Sequence, residues 1–325
     1  MIYALAITGP TAGGKTALSL ELCKSFEAEI ISCDSMQIYR GMDIGTAKAT
    51  AEQRQAVPHH MIDVVSPDES FSAADYKELA MPIAEDIAAR GRLPVFVGGT
   101  GLYIDTLKRS FSGQAPESRA EYREEILAGI KTEEDRIALW ERLRSVDEKS
   151  AEQIHYNNLK RVIRALEIYD ATGKPKSYFD SIASAPSEEI TIVHVTVDFH
   201  LRERLYERID VRVDEMVKDG LFAEVAALKS CGYLGADTTA GGAIGYKEII
   251  LGESEGLPTE AIIDNIKRAS RNYAKRQLTW FRHTEGAITL YADSEEGELK
   301  SVGELYGELI SIVKNHPELK LKARD

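Results

Sequence analysis

Apolar positions along the chain follow two rhythms. Short unbroken runs, IYALAIT (residues 2–8), AEIISCD (28–34), PVFVGGT (94–100) and ITIVHVTVD (190–198), are closed by Gly, Pro or an acid and read as buried strands. HHMIDVV (59–65) is a candidate third strand and AITLYAD (287–293) a last one. Between these runs the apolar residues recur at helical spacing. Residues 15–26 place Leu18, Leu22 and Phe26 on one face, and Ser72 is placed to cap a helix ending near Arg90, with Gly91 just beyond it. Strands alternating with helices predict an α/β fold, a parallel sheet flanked by helices on both faces.

From residue 112 to about 188 the strand signal disappears. The segment is charged, helical in period, and ends in the polar stretch SIASAPSEE (181–189). The pattern predicts a core made of residues 1–111 and 189–325, interrupted by a helical insertion domain at 112–188, with a helical C-terminal part after residue 200.

Composition narrows the class. The 325 residues are 43% hydrophobic and 29% charged, ordinary values for a globular protein. No apolar run approaches the ~20 residues of a membrane span, and no basic leader precedes an apolar stretch. Cys23, Cys33 and Cys231 lie far apart, without the spacing of a disulfide framework or a zinc site. These features predict a cytoplasmic protein with no membrane partner. A net charge of −13 argues against nucleic acid as a partner for the chain as a whole, but local patches decide binding.

GPTAGGKT, residues 9–16, follows the first strand and fits the phosphate-cradling pattern G-x-x-x-x-G-K-[ST]. Glycines let backbone N–H groups approach an anion at a helix N-terminus. Lys15 reaches the terminal phosphate, and the Thr16 hydroxyl is placed to ligate Mg²⁺. Asp34 closes a strand expected beside the P-loop strand, on the rim where ligands bind in such folds. It suits a general base first, an Mg²⁺ ligand second, or a helix cap. Thr100 ends another strand, where its hydroxyl serves either a leaving-group oxygen or a cap. His59 and His60 point to opposite faces of a strand and read as supporting residues.

Two basic segments stand out. NNLKRVIRALEIY (157–169) carries Lys160, Arg161 and Arg164 opposite an apolar face. NIKRASRNYAKRQLTWFR (265–282) carries six Lys or Arg and no acid. At ~100° per residue, Arg268, Arg271, Lys275 and Arg282 fall within about 60° of arc, opposite Ile266, Tyr273 and Trp280. Unrelieved, such a stripe repels itself, so a phosphate backbone is expected along it.

GPTAGGKT, DSMQIYRGMDIGTAK, PHHMID, VGGTGLY, RVIRALE, AIGYKE and AKRQLTWFR, in that order from Gly9 to Arg282, together resemble the bacterial tRNA dimethylallyltransferase family. The resemblance implies transfer of a dimethylallyl group from dimethylallyl diphosphate to N6 of adenosine 37 in tRNAs reading codons that begin with U. It implies that the P-loop residues Gly9, Pro10, Thr11, Ala12, Gly13, Gly14, Lys15 and Thr16 hold the diphosphate with Mg²⁺. Asp34 then engages the adenine amine and Thr100 acts near the leaving group. It further implies that the tRNA anticodon stem-loop is gripped by Asp34, Ser35, Met36 and Gln37, and singly by Thr100 and Arg123. Lys160, Arg161, Val162, Ile163 and Arg164 join them, as do Gly242, Ala243, Ile244, Gly245, Tyr246 and Lys247. Lys275, Arg276, Gln277, Leu278, Thr279, Trp280, Phe281 and Arg282 complete the set. A monomer is expected. The chain departs from the family pattern at Ala49, Asn158 and Gly242, all outside the P-loop. Two other readings share the P-loop: a prenyltransferase acting on free adenine nucleotides, and a P-loop kinase.

Overall fold

The computed structural model describes residues 1–110, 120–183, 185–235 and 238–324. Six parallel strands form one sheet: β1 (Ile2–Thr8), β2 (Ala28–Ser32), β3 (His59–His60), β4 (Leu93–Gly98), β5 (Ile190–Asp198) and β6 (Ile288–Tyr291). Their order is β3-β2-β4-β1-β5-β6. The expected strand at 59–65 is only the pair His59–His60, because Met61 and Asp63 take positive φ and turn the chain away. The four central runs form strands much where their apolar patterning put them.

β4 lies between β1 and β2, pairing Ile7 with Val97 on one side and Ile31 with Phe96 on the other. The strand leading to Asp34 is therefore not the neighbour of the P-loop strand, as its sequence position suggested; the chain leaving β1 skips one place in the sheet. Alternation along β1 serves two cores. Leu5 and Ile7 pack with α1 (Lys15–Ser25), while Ala4 and Ala6 face the helix formed by Ala73–Ala89. Burial on both faces explains why these strands read as continuous apolar runs.

Before the insertion lie α2 (Ala51–Ala56), α3 (Ala73–Ala89) and α4 (Gly101–Lys108). Ser72 caps α3 with a reciprocal pairing to Asp75, as its position in the sequence predicts. The chain divides into two compact units, Met1–Lys108 with Glu189–Asp325, and Arg109–Glu188. The second unit holds α5 (Ala120–Gly129), α6 (Glu133–Val146), α7 (Glu148–Gln153), α8 (Leu159–Thr172) and α9 (Lys176–Ala183). Its small core gathers Leu143, Ala151, Ile154, Val162, Ala165 and Leu166. The expected start of the insertion at residue 112 lies outside the described residues.

The first unit resumes with α10 (Arg202–Lys218), α11 (Leu221–Ser230), α12 (Tyr246–Ser254), α13 (Thr259–Arg282) and α14 (Val302–Lys314). Among the described residues, no helix is long and apolar enough to cross a membrane.

Candidate active site

The loops leaving β1, β2 and β4 meet at the carboxyl edge of the sheet, where ligands bind in open α/β folds. The loop after β1 is the P-loop. Gly9 has φ of +140°, and a Cβ there would lie 2.6 Å from the Val197 carbonyl oxygen, so no other residue fits. α1 begins at Lys15 with Gly14 as its N-cap, and no side chain caps its free N–H groups. That end of the helix leaves its first N–H groups without a side-chain cap, the arrangement on which anions bind in other proteins.

Lys15 Nζ donates to the Pro10 carbonyl at 2.6 Å. Burial pulls its pKa down from the usual lysine value to about 7; the Arg212 guanidinium adds to the drop and the Asp34 carboxylate opposes it. Arg212 and Arg208 come from α10, one turn apart. Arg208 Nε donates to the Ala12 carbonyl at 2.8 Å, bracing the P-loop from outside. Burial lowers the pKa of Arg212 as well. Neither arginine stands out in the sequence. Their i,i+4 spacing in RERLYERIDVRVDEM is visible there, but it looks like any charged face of a surface helix.

Asp34 Oδ1 accepts the Met36 N–H at 2.9 Å, fixing a tight turn after β2. It shares one cavity of about 410 Å³ with Lys15, Thr16, Arg212 and Tyr273, a size typical of small-ligand sites. Helical periodicity puts Tyr273 on the apolar side of its helix and assigns it no role. Burial, then the charge of Asp34, pushes its phenol pKa well up, so Tyr273 presents a neutral hydroxyl beside the carboxylate.

Thr100 is not in the wall of this cavity. Its Oγ1 accepts the Ser35 N–H at 3.0 Å, and its own N–H donates to the Cys33 carbonyl at 3.1 Å. These bonds bind the β4 loop to the β2 loop, so Thr100 holds the segment that carries Asp34. Gly99 permits another close approach. A Cβ at Gly99 would lie 2.1 Å from Gln277 Nε2. Of the histidines, His60 pairs with Glu29 at 2.8 Å and His59 lines the cavity.

The other sequence-predicted residues divide by burial. Ser35, Met36, Gln37, Gly242, Ala243, Ile244 and Gly245 line the cavity together with Arg276. Tyr246 is buried and donates to Glu224 Oε1 at 2.5 Å; Glu224 also accepts the N–H groups of Asp43, Ile44 and Gly45. Of the residues that the resemblance assigns to tRNA, Val162, Ile163, Leu278 and Phe281 have buried side chains, and Gln277, also buried, lines the cavity. Lys160, Arg161, Lys247, Lys275, Thr279 and Trp280 are exposed. In the second unit, Arg123 and Arg164 both bind the buried Glu167 carboxylate, at 3.3 and 2.7 Å.

Half of the cations in the α13 stripe need no external anion, contrary to the expectation from the sequence. Lys267 pairs with Asp214 at 2.6 Å, Arg271 with Asp210 at 2.5 Å, and Arg282 with Asp198 at 2.7 Å. The acids arrive from α10 and β5, far away in sequence. Lys275 remains exposed, and Arg276 lies over the Tyr273 ring, 5.5 Å from its centre.

Comparison with known proteins decides the family. The IPP transferase family model matches residues 37–284. A tRNA dimethylallyltransferase from Thermoanaerobacter sp. strain X514 is 44% identical over 282 residues, 86% of this chain and 89% of that protein. The chain belongs to the tRNA dimethylallyltransferase family. A second family member, from Staphylococcus carnosus, is 45% identical over 285 residues, covering 86% of this chain and 88% of its own. Among solved structures, the tRNA isopentenylpyrophosphate transferase of Staphylococcus epidermidis superposes with a TM-score of 0.68 at 38% identity, over 97% of this chain and 100% of that one. A eukaryotic dimethylallyltransferase, described as acting on tRNA, gives a TM-score of 0.73 at 28% identity, over 90% of this chain and 74% of its own. The α/β fold with a parallel sheet flanked by helices is thus the family's own.

Proposed function

We propose that this chain transfers the dimethylallyl group of dimethylallyl diphosphate to N6 of adenosine 37 in tRNAs reading codons that begin with U. The observation that carries this reading is the single cavity in which Asp34 faces Lys15, Thr16 and Arg212. Family membership supports tRNA as acceptor and a prenyl diphosphate as donor.

The diphosphate sits on the P-loop N–H groups, Lys15 and Arg212. As the allylic C–O bond opens, negative charge grows on the leaving oxygens, and these fixed cations and dipoles stabilise that charge more than the ground state. The adenine, flipped from the anticodon loop at a cost of a few kcal/mol, brings its amine to Asp34. The carboxylate accepts the proton that the amine loses as the C–N bond forms. Tyr273, neutral beside Asp34, offers a hydroxyl for orienting the base.

The site suits Mg²⁺ bound with its substrate. Among the described residues no three His, Cys, Asp or Glu side chains gather as a metal cage. Thr16 would hold the ion, with Asp34 as a second candidate and diphosphate oxygens and water completing the shell, the usual arrangement for this cation. Bound there, Mg²⁺ would offset charge on the leaving group.

The test is direct. Incubate the protein with Mg²⁺, labelled dimethylallyl diphosphate and tRNA carrying adenosine 37, then analyse the nucleosides. Dimethylallyladenosine in the tRNA is the expected product. Label appearing only in AMP, ADP or ATP, or in no acceptor, overturns the reading.

A further inference from the structure

The face of α13 that walls the cavity continues past it. Ile266, Ser270, Tyr273 and Gln277 recur every three or four residues and all line the cavity. Trp280 carries that face onward, and it is 40% exposed. Seven residues, about 10 Å along the helix axis, separate it from Tyr273. Its place is set from the other side by Gly101, the first residue of α4. A Cβ on Gly101 would lie 2.3 Å from both Cδ1 and Nε1 of the indole, so the five-membered ring rests on bare backbone. Gly101 follows Thr100, whose Oγ1 accepts the N–H of Ser35 at 3.0 Å, and Ser35 is the neighbour of Asp34. A short chain of contacts thus ties the exposed indole to the segment that carries Asp34.

We propose that Trp280 is a stacking platform for a nucleobase adjoining the adenosine that enters the cavity. The inference rests on the reading of tRNA as acceptor. The resemblance assigns the whole run from Lys275 to Arg282 to tRNA without giving any one side chain a task. Its other aromatic residue, Phe281, is 2% exposed and faces the core, so Trp280 is the ring this run offers to a ligand. Flipping one base out of an anticodon loop leaves each neighbour without a stacking partner on one side. Every base has a π-face, and an indole takes the place of the missing base without reading sequence. The adenine comes to Asp34 and Tyr273 inside the cavity, and Trp280 stands two helical turns further along the same face, where the adjoining nucleotide emerges. Arg276 lies between Tyr273 and Trp280 along the helix and lines the cavity wall. It offers a cation to the phosphate that joins the two nucleotides.

The experiment uses an anticodon stem-loop RNA with adenosine 37, either intact or lacking the base of one adjoining nucleotide, and measures affinity and transfer. Trp280→Ala should weaken binding of the intact loop by about 5- to 150-fold, the range of base–aromatic stacking. Its KM for dimethylallyl diphosphate should stay near the wild-type value, and Trp280→Phe should recover most of the loss. The deciding comparison is a cycle: removing one of the adjoining bases should weaken binding to wild type and add little to the deficit of Trp280→Ala. The chain has two tryptophans, so in Trp140→Phe protein the remaining indole fluorescence is that of Trp280. The intact loop should quench it, and the loop without that base should quench it less. This arm leaves Trp280 in place and keeps the test decisive if the alanine variant misfolds. The proposal fails if the intact loop leaves the Trp280 fluorescence unchanged, or if folded Trp280→Ala, checked by its melting curve, binds as wild type does. It fails equally if the alanine deficit is the same with the intact loop and with both loops that lack a base, which would make the indole a packing residue over Gly101. A wild type that neither binds nor modifies the intact loop sinks the tRNA reading itself, and the inference with it.

Discussion

Gln277 holds the P-loop at Thr11: its Oε1 accepts the Thr11 N–H at 2.9 Å. Its Nε2 donates to the Gly99 carbonyl, also at 2.9 Å. One buried amide thus spans the loops that follow β1 and β4, using both its ends. Truncation leaves a buried donor and a buried acceptor without partners, at about 1–3 kcal/mol for each such group. Gln277→Ala is expected to lower the melting temperature and to raise KM for the prenyl diphosphate more than it lowers kcat, because the loop that cradles the phosphate loses its brace. Gln277→Glu keeps the acceptor for Thr11 but turns a carboxylate toward the Gly99 carbonyl, and should be no better. An unchanged melting curve and KM in the alanine variant would show that the loops hold themselves.

Asp34 carries two tasks that one substitution separates. Its Oδ1 accepts the Met36 N–H, and its carboxylate faces the cavity. Asp34→Asn keeps an oxygen for the turn and removes the base. Turnover should fall by about 10²–10⁴, the usual contribution of a positioned base, with the affinity for tRNA and diphosphate close to wild type. Asp34→Ala would disturb the turn as well and confound the two. Single-turnover rates with both substrates saturating decide the matter. An Asn variant with near-normal turnover would remove Asp34 from the proton transfer.

Much of this architecture is legible in the sequence because its signals are local. GPTAGGKT lies between a strand and a helix and announces a phosphate site within eight positions. Ser72 announces the start of α3 in the same way. The strand order is not local. Nothing in AEIISCD tells that β4, formed some sixty residues later, will insert between it and β1. The same limit explains the α13 cations. The run from Asn265 to Arg282 contains no acid, yet Asp214 and Asp210 on α10 stand opposite Lys267 and Arg271 once the helices pack. Gln277 and Phe281 lie in a run that looks like one recognition stripe, but a helix has an inner face and theirs is buried.

Lys15 gives the site a pH dependence whose sign follows from its surroundings. With a pKa of about 7 in the free protein, the amine is charged below that pH and increasingly neutral above it. A bound diphosphate places negative charge beside it and raises the pKa. Binding therefore takes up a proton at alkaline pH. Affinity should be level below about pH 7 and fall as pH rises through it, by up to tenfold per unit until the bound-state pKa is reached. Calorimetric titration with inorganic pyrophosphate at pH 8, in buffers of different ionisation enthalpy, should report proton uptake. Lys15→Met should abolish that uptake. A wild-type enthalpy independent of the buffer would place the lysine pKa far from 7.

The paired and unpaired cations of α13 should behave differently toward tRNA. Arg271 is held by Asp210 and Lys267 by Asp214, so each already has its counter-charge and has little counterion to release when RNA arrives. Lys275 is exposed, and Arg276 reaches the cavity wall over Tyr273. Removing Lys275 and Arg276 together should weaken tRNA binding and lower the slope of log Kd against log salt, by about 0.7 for each phosphate of a single-stranded loop that is no longer neutralised. Arg271→Ala should leave that slope nearly unchanged and instead reduce stability slightly, since exposed pairs of this kind contribute about 0–1 kcal/mol. The measurement is tRNA affinity by filter binding at several salt concentrations, for wild type and both variants. If the slope falls for Arg271→Ala and holds for the Lys275, Arg276 double variant, the phosphates lie along the other edge of the helix and Asp210 gives up its partner on binding.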